Sequence, residues 1–265
     1  MAGRHGWVKG VSAGVVAGVA VVVSPGMAQR LLSTAMLLTV TATAAVACGG
    51  GGDDDPGQQV KANGRAALAG TSYTSDQLEQ ALLAELPGYR RAGEPDSGEY
   101  GGLKSIQNFN QLQRQVTIDK PRCSNAGGAR PGSPPMDKSA PTAITAFVKD
   151  NGQNVTETLM AMPADAAEKH VSARVPPGCL TFRTKVGDQW ADHKVFESPP
   201  GTIGEGSRTV GVSTLSGSSQ LKTWYVVLRG RRYLATISLI GGAATRAEAE
   251  QLARLADAQA KRILP

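Results

Sequence analysis

Leu221-Lys222-Thr223-Trp224-Tyr225-Val226-Val227-Leu228 is followed by Arg229-Gly230-Arg231-Arg232 and then by Tyr233-Leu234-Ala235-Thr236-Ile237-Ser238-Leu239-Ile240. Two long arms rich in β-branched and aromatic residues, joined by a short charged link that contains a glycine, spell an antiparallel hairpin. A second hairpin lies upstream. Ala143-Ile144-Thr145-Ala146-Phe147-Val148 and Val155-Thr156-Glu157-Thr158-Leu159-Met160-Ala161-Met162 flank Asn151-Gly152, a pair that accepts the positive φ of a tight turn. Residues 179–183 and 211–215 read as further strands.

Helices bracket these strands. Thr74-Ser75-Asp76-Gln77 is a capping box, and Leu78, Ala81, Leu82 and Leu86 follow at helical spacing until Pro87-Gly88 stops the run. Pro163 suits a first helical turn with Asp165 near its positive end, and the helix runs through Ala167 and His170 to about Arg174, before Pro176-Pro177-Gly178. Thr245-Arg246-Ala247-Glu248 repeats the capping box. Ala249, Leu252, Leu255, Ala256, Gln259 and Ile263 then trace one stripe, with Glu248, Arg254, Asp257 and Lys261 left to face water. Residues 90–140 are rich in Gly, Ser, Pro and charge, and only 113–118 reads as extended. Hairpin connections, rather than strand-helix alternation, exclude a doubly wound fold. They predict the α+β class: a single antiparallel β-sheet flanked by α-helices.

The charge balance narrows the partners. Of 28 basic residues, Arg4, Lys9 and Arg30 lie within residues 1–47, which hold no Asp or Glu, so the rest of the chain is less basic than its +6 total suggests. A scattered excess of this size does not predict nucleic-acid binding, which concentrates Lys and Arg on one face.

Two apolar runs, 11–23 and 31–47, fill the front of the chain, each shorter than a spanning helix requires. The second has a basic start ending at Arg30, an apolar stretch and small residues leading to Ala45-Val46-Ala47-Cys48-Gly49, which resembles the bacterial lipobox. By that resemblance residues 1–47 are a lipoprotein signal peptide and Cys48 becomes the lipidated mature N-terminus. The plainer alternatives are an ordinary signal peptide or an uncleaved anchor. Gly49 to Gly52 and Asp53-Asp54-Asp55-Pro56-Gly57 suit a flexible tether over residues 48–73, leaving 74–265 as the folded domain. Met27-Ala28-Gln29-Arg30-Leu31-Leu32 already opens a complete signal. Translation therefore starts at Met27, or residues 1–26 lengthen the basic region.

Three cysteines leave one over in an exported protein, and lipidation of Cys48 accounts for it. A disulfide between Cys123 and Cys179 is then the default expectation. A metal site is the rival, without CxxC or CxxH spacing to favour it.

The Ser75-Asp76-Gln77-Leu78-Glu79-Gln80-Ala81-Leu82-Leu83 stretch, Leu86-Pro87-Gly88-Tyr89, Val155-Thr156-Glu157-Thr158-Leu159, the 225–228 and 233–237 arms and the alanine-rich C-terminal helix resemble actinobacterial sensor-domain lipoproteins. These are similar to the PknH-like extracellular sensor domain family. The resemblance covers about residues 74–264. It implies an antiparallel sheet with flanking helices, a cleft for a small ligand and a place outside the membrane. The sensor domain of the serine/threonine kinase for which that family is named carries two disulfides, whereas this chain offers one cysteine pair.

Catalytic chemistry finds little footing. His5 lies in the signal, His170 on a short helix and His193 in a polar loop, and Gly211-Val212-Ser213-Thr214-Leu215 lacks the second glycine of a nucleophile elbow. Asp53-Asp54-Asp55 lacks the alternating oxygens of a calcium loop, and Gly204-Glu205-Gly206-Ser207 is too short to cradle phosphate. No metal site, catalytic set or cofactor is predicted. Arg229, Arg231 and Arg232, with Lys222 near, form the one dense basic cluster and a possible contact for anionic headgroups or wall polymers. Trp190, Trp224 and Tyr225 either line a pocket or pack the core. The sequence thus predicts a non-enzymatic domain on the outer face of the cell membrane, held by lipid at Cys48, that binds a small molecule, lipid or envelope component. The alternative is a lipid-anchored hydrolase acting on wall or lipid material.

Overall fold

The computed structural model describes residues 72–124, 126 and 133–264; Met27, Cys48 and the tether up to residue 71 lie outside them, while Tyr73, expected at the end of the tether, is buried in the main core. Among the described residues ten strands form one antiparallel sheet: β1 (Arg90–Arg91), β2 (Asp96–Glu99), β3 (Val116–Ile118), β4 (Pro141–Val148), β5 (Asn154–Ala161), β6 (Thr181–Val186), β7 (Gln189–Glu197), β8 (Ser207–Ser216), β9 (Ser219–Arg229) and β10 (Tyr233–Gly241). Their order is β1-β4-β5-β10-β9-β8-β7-β6-β3, and β2 shares the outer edge of β4 with β1. The helices are α1 (Ser75–Ala81), α2 (Lys104–Gln113), α3 (Ala164–Ser172) and α4 (Arg246–Ile263). This is the predicted α+β class.

Both predicted hairpins form. Gly152 takes φ of +83° in the β4–β5 turn, a conformation that favours glycine. The long pair runs from Leu234 opposite Arg229 to Gly241 opposite Lys222. Strand β7 was not predicted: Gln189–Glu197 reads as a polar loop, yet it pairs with β6 on one side and β8 on the other. Residues 90–140, mostly unread in the sequence, contain α2, the short strands β1, β2 and β3, and a 3-10 turn at Tyr100–Gly102.

Side chains on one face of the sheet build the main core. Tyr233, Ala235, Ile237 and Leu239 of β10, Val155 and Leu159 of β5, and Val226 and Leu228 of β9 meet Leu78 and Ala81 of α1 and Ala249, Leu252, Ala253 and Ala256 of α4. Each of the valines, leucines and isoleucines among them contributes about 1.5–3 kcal/mol on burial. The α1 capping box is complete: Thr74 Oγ1 accepts from the Gln77 N–H at 3.2 Å, and Gln77 Oε1 accepts from the Thr74 N–H at 2.9 Å. The helix nevertheless ends at Ala81, short of the apolar stripe, and the Leu83 N–H goes to Glu157 Oε2 at 2.8 Å.

Helix α4 completes only half of its expected box. Thr245 Oγ1 accepts from the Glu248 N–H at 3.2 Å, while the Glu248 carboxylate accepts from Tyr89 Oη and Gln153 Nε2 at 3.0 and 3.1 Å. The buried stripe is also rotated from the expected one. Ala253, Asp257 and Ala260 are buried, whereas Leu255 and Ile263 are exposed. Asp257 turns inward because Lys261 Nζ and Tyr233 Oη reach its carboxylate, at 2.8 and 3.4 Å.

Candidate functional site

The opposite face of the sheet carries two smaller cores with hydroxyl-bearing strands between them. At one end Met160, Met162, Val227 and Leu234 pack with Ala167 and Val171 of α3, and Tyr100 and Met136 lean on them. At the other end Cys123 and Cys179 form a disulfide with Cα atoms 5.3 Å apart, and Phe182, Val195, Val210, Val212 and Tyr225 surround it with Ile118 at the margin. The chain leaves the first lobe at Tyr100 and reaches the second at Ile118. Helix α2 forms the middle of that passage, and none of its residues is fully buried.

Register aligns the polar side chains of this face in rows. Thr156 of β5 lies opposite Ser238 of β10, which lies opposite Tyr225 of β9; one step along, Thr158 lies opposite Thr236, then Val227, then Arg208 of β8. Thr156, Thr236, Ser238, Tyr225 and Arg208 are all buried. Ser238 Oγ has no hydrogen-bond partner, and of the Arg208 guanidinium only Nη2 is engaged, with Glu197 Oε1 at 2.8 Å, leaving Nε and Nη1 unpartnered. Burial lowers the Arg208 pKa, and the Glu197 carboxylate partly restores it. Orphaned donors this deep are unusual in a folded chain, because each costs about 1–3 kcal/mol.

This floor is absent from the sequence prediction, although one signal for it was present. Thr156 and Thr158 on one arm and Thr236 and Ser238 on another repeat at the strand period, so pairing the arms places four hydroxyls side by side. Arg208 gave no signal, because a lone arginine beside Gly206-Ser207 reads as exposed.

The predicted contacts fare differently. Cys123 and Cys179 meet, whereas Arg229 is set apart from Arg231 and Arg232 by its ion pairs. Arg229 ends β9 and its guanidinium is held by Glu168 at 2.7 Å and Glu205 at 3.0 Å, while Arg231 and Arg232 stay exposed in the turn. Trp190, Trp224 and Tyr225 do not converge either. Tyr225 is buried beside the disulfide. Trp224 lies on the α4 side, donating from Nε1 to the Ala244 carbonyl at 3.2 Å, and its ring covers Gly211 so closely that a Cβ there would sit 2.6 Å from it. Trp190 is exposed.

His193, expected in a loop, sits on β7 and stacks on Phe182 with ring centroids 4.7 Å apart. Thr184 Oγ1 lies 2.7 Å from its Nε2 and Thr214 Oγ1 lies 3.0 Å from its Nδ1. Burial pushes its pKa down, against smaller upward pulls from Asp192 and Asp119, which favours the neutral ring. Its second nitrogen meets a hydroxyl rather than the carboxylate that would orient a general base. His170 is buried on α3. Ser213 lies mid-strand and accepts from Gln220 Nε2 at 3.1 Å. Gly204 and Glu205 form part of the loop that holds Arg229.

Glu157 lies on the α1 face, fully buried, with Oε1 unpartnered beside Thr145, whose Oγ1 is also unpartnered. Desolvation pushes its carboxyl up to about 8, opposed by the Leu83 N–H. A neutral carboxyl at that depth has a proton to donate, which a buried carboxylate lacks.

No family model and no curated protein matches the chain. Among the solved structures that match are two from mycobacteria. The extracellular domain of PknH from Mycobacterium tuberculosis is covered over 98% of its length by 72% of this chain, at 12% identity and a TM-score of 0.46. The Rv0999 ortholog from Mycobacterium smegmatis is covered over 95% by 71% of this chain, at 14% identity and a TM-score of 0.40. The chain is similar to both.

Proposed function

We propose that this chain is an extracytoplasmic lipoprotein, held at the outer face of the cell membrane through Cys48, whose single domain binds a small molecule, lipid or envelope component without chemically changing it. The observation that carries the binding reading is the buried hydroxyl floor between the two lobes, with Ser238 Oγ and two donor atoms of Arg208 left unpartnered. A ligand rich in hydrogen-bond acceptors would satisfy them, entering where α2 crosses between the lobes on few buried contacts. The non-catalytic reading rests on His193, which has hydroxyl neighbours and no orienting carboxylate.

Native mass spectrometry of the protein released from its own membrane tests the binding. A co-purifying molecule is expected, and Ser238→Val should lower its occupancy while leaving the far-ultraviolet spectrum unchanged. A clean apo mass from the unaltered protein would overturn the reading. The anchor has a separate test: incorporation of an alkynyl fatty acid, abolished by Cys48→Ser.

A further inference from the structure

Among the described residues, the helix-covered face of the sheet is not covered to its end. Helices α1 and α4 lie over β4, β5, β9, β10 and the near part of β8. Beyond them the same face of β6, β7 and β8 presents Trp190, Phe196 and Leu215, which are 37%, 43% and 46% exposed. The other side of these strands packs Phe182, Val195 and Val212 around the disulfide, so the exposed apolar residues are not a core turned inside out.

Cations surround them. Register places Lys185 opposite Trp190, Arg183 opposite Asp192 and Leu215 beyond it, and Lys194 opposite Ser213 with Lys222 beyond. Asp192 is paired with Arg183 at 3.0 Å, Asp119 past the end of β3 accepts from the Arg183 backbone N–H at 2.8 Å, and Asp188 in the adjoining turn pairs with Lys185 at 3.5 Å. Two cations stand over the rings themselves, Arg183 at 4.7 Å from the Trp190 centroid and Lys194 at 5.3 Å from that of Phe196.

We propose that this bare end of the sheet docks on an anionic lipid surface, its aromatic and leucine side chains entering the headgroup region and Lys194 and Lys222 meeting lipid phosphates. Indole and phenyl rings beside Lys and Arg are the side chains that partition to a bilayer interface, and each nearby cation adds about 1 kcal/mol on an anionic leaflet. Two other occupants fit the charge and ring geometry less well. A sugar stacked on Trp190 or Phe196 would compete with the cations already over those rings. A second copy in a two-fold contact would set this positive face against itself. The Arg229 cluster at the β9–β10 turn is a poorer candidate, since two carboxylates already hold Arg229.

The test uses the full chain carrying Cys48→Ser, so that acylation plays no part, and sediments it with neutral phosphatidylcholine vesicles and with vesicles containing a quarter phosphatidylglycerol. Stronger binding to the anionic vesicles is expected, weakening with added salt. The further change Lys194→Glu with Lys222→Glu should reduce that binding by roughly thirtyfold at an unchanged melting temperature. Arg4, Lys9 and Arg30 are common to both chains, so the difference between the chains belongs to the patch. Equal binding of the two chains to anionic vesicles would overturn the proposal. So would a dimer dissolved by Trp190→Ala in a chain that ignores vesicles, or retention on wall polysaccharide that salt does not weaken.

Discussion

Strands β10 and β7 have nine residues each and opposite surroundings. Every residue of β10 is buried, whereas on β7 only Val195 is. The first lies mid-sheet between α4 and the hydroxyl floor; the second lies near the edge, packed on one side only. One sheet therefore contains a stretch held by burial on both faces and a stretch held by burial on one face plus a covalent link.

That contrast predicts where each kind of change is felt. The covalent link should matter most. Cys123 and Cys179 are separated by 56 positions, and a closed loop of that size stabilises by about 4 kcal/mol in the chain-entropy account. Replacing both by alanine should cost about that much in urea unfolding. Hydrogen exchange should rise in β3 and β6 before it rises in β10. Uniform loss across the sheet would show that the disulfide lobe is not a separately weakened part.

Next in size is a paired truncation. Leu239→Ala removes a fully buried side chain from the main core and should cost about 3 kcal/mol. Phe196→Ala on β7 should stay within about 0.5 kcal/mol, as exposed positions do. Equal costs would erase the distinction between the two strands.

The same distinction decided what the sequence disclosed. The β4–β5 and β9–β10 hairpins were legible because double-sided burial leaves runs such as Tyr225-Val226-Val227-Leu228 that few other structures tolerate. Gln189-Trp190-Ala191-Asp192-His193-Lys194-Val195-Phe196-Glu197 was not, because one bare face fills alternate positions with charge. The capping threonines were legible from local spacing. The diversion of Glu248 to Tyr89 and Gln153, partners far apart in sequence, was not. The hydroxyl floor became visible only once register set Thr156 against Ser238. The bare cationic face needed the position of α4 as well.

Glu157 tests the doubly buried stretch by pH. Its folded pKa, about 8, lies above the ordinary value of 4.5. The folded state therefore holds the proton more tightly, and Glu157 adds its full share to stability below about pH 4.5. That share declines as pH climbs towards 8, where the buried carboxyl finally ionises. Glu157→Gln keeps an acceptor for the Leu83 N–H and never ionises. Melting temperatures of the two proteins should agree near pH 4 and diverge by several degrees at pH 9, with the variant higher. Parallel curves would mean that the carboxylate is tolerated beneath α1 as well as the acid.

The smallest effects separate the two helices above that stretch. Thr74→Ala breaks a reciprocal box on a seven-residue helix, where the cap is a large share of what fixes the first turn. Thr245→Ala removes a single bond from an eighteen-residue helix already held by Leu252, Ala253 and Ala256. A cap is worth about 1 kcal/mol. Thr74→Ala should reach that figure and raise exchange locally in α1. Thr245→Ala should fall below it, because the Glu248 carboxylate is held by Tyr89 and Gln153 rather than by the cap and can keep the first turn of α4 in place. Adding Tyr89→Phe should then restore the missing part of the loss. If Thr245→Ala alone costs the full amount, the Tyr89–Glu248 bond is not sharing the work of holding that helix end.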